Sequence, residues 1–153
     1  MRRPLVTCLF AGVAVALAIA LAAAEGAVQG PTQASTGPAA RGGWTVPPGG
    51  AAEKNPLTVN DAVLAAGRKL FLQKCQRCHG PGGKGDGPDA EREHADDMNL
   101  TQASRAAHNT DGVVFYKIWN GRSSPKMPTF SEELSKEQVW AIVSYVQTLR
   151  AKQ

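Results

Sequence analysis

Five residues near the middle of the chain, Cys75-Gln76-Arg77-Cys78-His79, constrain it more than any others. Two cysteines one helical turn apart, with a histidine directly after, serve few chemistries: half of a zinc site, a redox dithiol, or a covalent anchor for haem. For the other half of a zinc site only His94 and His108 remain. A structural zinc site needs four ligands, and two histidines fourteen residues apart do not have the spacing of a finger. A thioredoxin-type dithiol sits between a strand and a helix, and no stretch here alternates as a strand would. The haem anchor asks only for what the five residues supply. At helical spacing both sulfurs reach the two vinyl groups of one porphyrin edge. His79, four positions after Cys75, turns its neutral imidazole beneath the iron as proximal ligand.

The start of the chain fits that chemistry. Met1-Arg2-Arg3 precedes an uncharged apolar run from Leu5 to Ala24 that closes on three alanines. This describes an export signal over residues 1–24, cleaved after Ala24; left uncleaved, it is long enough to act as an anchor. Covalent haem attachment belongs outside the bacterial cytoplasmic membrane, so the expected location is the periplasm. Loss of Arg2 and Arg3 lowers the formal charge from +4 to +2, too slight for a nucleic-acid footprint.

Residues 25–57 hold seven glycines, five prolines and six alanines, and read as a linker or a loosely draped arm. Trp44, in "GGWTVPP", either docks on the domain or stays part-exposed in a tail. Residues 58–153 form the domain, expected to be all-α. Thr58 and Asp61 stand at capping distance ahead of Val59, Val63, Ala66, Leu70 and Phe71, which recur at helical spacing. A second helix is predicted from Thr110 to Asn120, stopped by Gly121. A third opens on a Ser135/Gln138 capping box and buries Val139, Ile142, Val143, Val146 and Leu149. Three helices and two long loops, Gly80 to Pro88 and Gly121 to Phe130, make a thin core. A large apolar cofactor would fill it.

At these residues the chain resembles the class I, monohaem cytochromes c of the bacterial periplasm. Gly67 and Phe71 are similar to the glycine and aromatic of that family's first helix, and "SKEQVWAIVSYVQTL" to its last, with Tyr145 facing the glycine. "NGRSSPKMPTF" is similar to its methionine loop, and "GKGDG" resembles members that are separate carriers or haem subunits of oxidoreductases. The resemblance implies a small helical domain wrapped around one covalent haem c. It also implies that the carbonyl at Gly87-Pro88 accepts the Nδ1–H of His79, orienting the ring.

Four residues compete for the sixth position on the iron: Met127, Met98, His94 and His108. Met127 stands between Pro125 and Pro128, whose fixed backbone angles can aim a soft thioether, and is the expected ligand. Met98, beside two carboxylates, reads as a core plug, and the two histidines as solvated side chains. The glycine loop lacks the Lys-Ser/Thr ending of a phosphate cradle. With both axial positions filled by protein, the expected function is one-electron transfer rather than catalysis. Lys74, Arg77, Lys84, Arg122 and Lys126 lie near the anchor or the methionine loop and are candidates for a basic rim that docks redox-partner proteins. The alternative is a haem c subunit of a larger membrane or periplasmic oxidoreductase. A gas sensor or a peroxidase would need an open sixth position.

Overall fold

The computed structural model describes residues 43–150; the expected leader and the first part of the arm lie outside them. Two long helices set the frame. α1 (Asp61–Lys74) is capped by Asn60, whose side chain accepts the Val63 N–H at 3.0 Å. Asn60 takes the role expected of Thr58, and Val59 is exposed ahead of the helix. The buried face of α1 is therefore narrower than its apolar periodicity suggests and centres on Gly67 and Phe71. After the short turns α2 (Gln76–His79) and α3 (Ala95–Met98) comes α4 (Asp111–Asn120), ended by Gly121 at φ 61° as expected. α5 (Lys136–Arg150) closes the fold. Its capping box is present: the Ser135 N–H donates to Gln138 Oε1 at 2.8 Å, and the Gln138 N–H to Ser135 Oγ at 3.2 Å.

α1 packs across α5 at Gly67. A methyl group there would lie 2.0 Å from the Ala141 carbonyl oxygen, so only glycine permits the approach. One turn on, Phe71 meets Tyr145 with ring centroids 5.3 Å apart. All five apolar residues expected on the inner face of α5 are buried. From α4, Phe115 stacks on Trp140 at 4.3 Å, joining the third wall to the same core. Among the described residues there is no sheet, only isolated bridges between Lys84 and Asn99 and between Arg122 and Met127. No helix among them is long and apolar enough to cross a membrane.

Residues 43–57, the described part of the arm, differ from the loosely draped linker expected. Trp44 is buried against Val113. A short 3₁₀ turn, Gly50–Ala52, lies on α4, where the Thr110 hydroxyl donates to the Ala51 carbonyl at 2.7 Å. Asn55 donates to the Trp140 carbonyl and the Ser144 hydroxyl of α5 at 3.1 and 2.8 Å. Composition hid this because the contacts are made by a few spaced side chains and by backbone, not by an apolar stripe.

Candidate cofactor site

α1 runs almost without interruption into the motif. The Cys75 N–H donates to the Phe71 carbonyl at 2.8 Å, and the N–H groups of Cys78 and His79 both donate to the Cys75 carbonyl, at 3.3 and 3.0 Å. The turn holds Cys75, Cys78 and His79 in fixed relation. Gly80 ends it at φ 75°, where any side chain would run into the Asp86 carboxylate. Both thiols are free and half-buried. Burial, and the neighbouring Cys78, push the Cys75 thiol up to about 12. The Cys78 thiol is also raised, by burial and then by Asp89 and Glu91. A redox dithiol works through a thiolate of lowered pKa. This pair has the reverse character.

His79 Nδ1 lies 2.7 Å from the Met98 carbonyl. A carbonyl only accepts, so Nδ1 carries the proton and the lone pair is left on Nε2, the form a metal binds. Burial lowers the pKa of the ring and so favours the neutral imidazole, an effect the Met98 bond partly offsets. The bond corrects the expectation for Pro88. That residue is exposed, and its neighbours are committed elsewhere: Gly87 lies against the Gln76 and Arg77 carbonyls, and the Asp89 N–H donates to Arg77 at 2.8 Å. The glycine loop instead runs beside residues 98–100, with the Leu100 N–H donating to Gly83 at 2.7 Å, and this brings the Met98 carbonyl to the histidine.

Met127 arrives from a loop with its own closure. Arg122 and Met127 exchange backbone hydrogen bonds at 2.8 and 2.9 Å, the Thr129 hydroxyl donates to the Trp119 carbonyl at 2.7 Å, and Arg122 Nε donates to the Pro125 carbonyl at 2.9 Å. A cavity of about 260 Å³ is lined by Cys75, Cys78, His79, Met98 and Met127 together. A smaller cleft of about 60 Å³, sharing Cys75, His79 and Met127, extends it toward Phe71 and Ile142 of the core. His94 and His108 do not line either; His94 lies 3.8 Å from Glu91.

The far part of the wall is polar in a way the sequence did not signal. Lys117 donates to Asn109 Oδ1 at 2.8 Å, Arg150 to the Asn109 carbonyl at 3.3 Å, and Arg105 and Arg122 reach Asp97 at 2.9 and 3.2 Å. Arg150 Nε is buried with no partner among the described residues. Burial, then Arg105, Arg122 and Arg150, pull Lys117 down to about 8. Burial alone would raise Asp97, but its two arginine bonds hold the carboxyl below its ordinary range. This concentration of cations is short of anions. A haem suits the site at both ends, with vinyl groups for the two thiols and two carboxylates for the cationic wall.

Of the five residues expected to form a basic rim, three are paired. Lys74 reaches Glu133 at 2.6 Å, Arg77 reaches Asp89 at 2.6 and 3.0 Å, and Arg122 reaches Asp97. Lys84 and Lys126 are exposed.

An all-helical domain with two thiols, a neutral histidine and a methionine around one cavity has the build of a c-type haem protein. The cytochrome c family model matches residues 64–150, and the chain belongs to that family. It therefore binds haem c covalently, and electron transfer follows from the family. Among solved structures it is similar to a chain of the reducing HAO-like protein complex of Kuenenia stuttgartiensis, with 28% identity and a TM-score of 0.51 over 61% of this chain. The match covers 46% of that longer chain. It is also similar to the c-type cytochrome KustC0563, with 32% identity and a TM-score of 0.44 over 55% of this chain and 96% of the other. No curated protein matches the chain.

Proposed function

We propose that the protein is a periplasmic electron carrier that passes one electron at a time through a single haem c, with His79 and Met127 as axial ligands. The bound group supplies a one-electron iron couple with no position open to substrate. The residues do the rest. Cys75 and Cys78 fix the edge, and the Met98 carbonyl orients His79 and raises its basicity.

The observation that carries the reading is the division of labour between the two methionines. The carbonyl of Met98 is bonded to Nδ1 of the His79 ring, which commits the Met98 backbone to the side of the ring away from Nε2. A ligand for the opposite face has to come from another element. Met127 does, on a separately closed loop that lines the same cavity.

One experiment separates the two. Met127→Ala should abolish the weak red charge-transfer band of the oxidised protein and open the reduced protein to carbon monoxide, while Met98→Ala should keep the band. A band that survives Met127→Ala and vanishes in Met98→Ala would overturn the assignment. Retention of the band in Met127→Ala would also leave the gas-sensor and peroxidase readings without their open position.

The second reading, a haem subunit within a larger oxidoreductase, is favoured by the similarity to a chain of a protein complex. The chemistry would be unchanged and the redox partner permanent. Purification decides between them. A free carrier leaves the periplasm alone, and a subunit leaves it with its partner.

A further inference from the structure

The arm and the methionine loop meet at one residue. Trp44 is 7% exposed, although the segment around it is rich in glycine and proline. It forms a small buried cluster with Val113, and Met127 packs against that cluster. The Arg122 guanidinium lies over the ring at 4.8 Å and the Lys117 ammonium at 5.6 Å. Arg122 is no bystander to the loop. Its backbone is paired in both directions with Met127, its Nε holds the Pro125 carbonyl, and its terminal nitrogen reaches Asp97. A side chain stacked on Arg122 therefore bears on both ends of the turn that presents Met127. The arm is in turn fixed from behind, by Thr110 on Ala51 and by Asn55 on α5.

We propose that Trp44 is a positioning residue for the sixth ligand: the arm clamps the methionine loop through Arg122 and Met127 and so governs how often the distal side of the site opens. The inference rests on the reading of Met127 as that ligand. The physical argument concerns populations. The loop has no helical ladder of its own, so its closed state depends on a few contacts, and each one removed raises the share of time spent open. A buried aromatic with two cations over its ring is one of them.

The test uses the full-length haem-loaded protein. Carbon monoxide enters the reduced protein only while the loop has let go, so its association rate reports the open population. Trp44→Ala should raise that rate about tenfold, in line with the loss of two cation–π contacts from the closed state. The red band should weaken at temperatures well below the melting of the helices followed by circular dichroism. Trp44→Phe, which keeps an aromatic face, should restore most of both. A merely structural tryptophan would lower the melting temperature and leave rate and band unchanged at low temperature, and that result would overturn the proposal. Met127→Ala serves as the reference. If it retains the band, the ligand assignment fails and the proposal with it. If it loses the band while Trp44→Ala behaves as the parent, the clamp alone fails.

Discussion

The two sides of the cavity are built on opposite plans. On the histidine side, Cys75, Cys78 and His79 are placed by backbone bonds no longer than one helical turn, continuous with α1. On the methionine side, Met127 sits in a non-helical loop held by Arg122, by Thr129 reaching back to Trp119 and by an indole more than seventy residues earlier in the chain. The lesson is one of robustness. A side chain fixed by local bonds keeps its place as long as the helix exists. A side chain fixed by distant contacts can be tuned by any of them.

The largest expected effect tests the local side. Replacing both Cys75 and Cys78 with Ala should abolish covalent haem, read as the absence of the haem mass on the intact chain. Next is the frame that carries the motif. Gly67→Ala places a methyl 2.0 Å from the Ala141 carbonyl. It should cost about 3 kcal/mol in thermal or denaturant unfolding, because neither backbone has room to yield. Unchanged stability would mean that α1 and α5 are not rigidly engaged. On the far side, Thr129→Val removes the hydroxyl bonded to Trp119, and should cost about 1 kcal/mol while weakening the red band. A shift in stability with the band intact would show that the loop does not feel its own closure. Smallest is Asp97. Its folded pKa lies below the ordinary 3.8, so in that window the unfolded chain binds more protons and stability rises with pH. The contribution is complete above 3.8 and is lost as pH falls through the folded value. Asp97→Asn should flatten this part of the acid unfolding curve.

The same contrast explains how much could be read from the sequence. The motif, the Ser135 box and the Gly121 stop are short-range patterns, and each appears in the structure as read. The end of α1 was harder, since Thr58 and Asn60 are both good caps and only the structure shows which one bonds Val63. The resemblance points to Pro88 for the histidine's acceptor where the structure has Met98, because the choice depends on which loop segment the glycines pass. Nothing between Gly80 and Pro88 says that this segment is 98–100. Of the cationic wall only Arg122 is legible in the sequence. Arg105, Lys117, Arg122 and Arg150 come from separate parts of the chain and converge only in the folded domain.

The crossing at Gly67 has a consequence for timing. α1 finds its main partner in α5, the last helix of the domain, so the core cannot close until nearly the whole domain has been synthesised. Contacts of such long range are paid for in loop entropy before they give anything back. Throughout that interval Cys75 and Cys78 belong to an open chain, and attachment chemistry can reach both sulfurs from any direction. Once α5 docks, the same thiols are half-buried in the wall of a cavity. Docking of α5 is the step that turns the two thiols from open to sheltered.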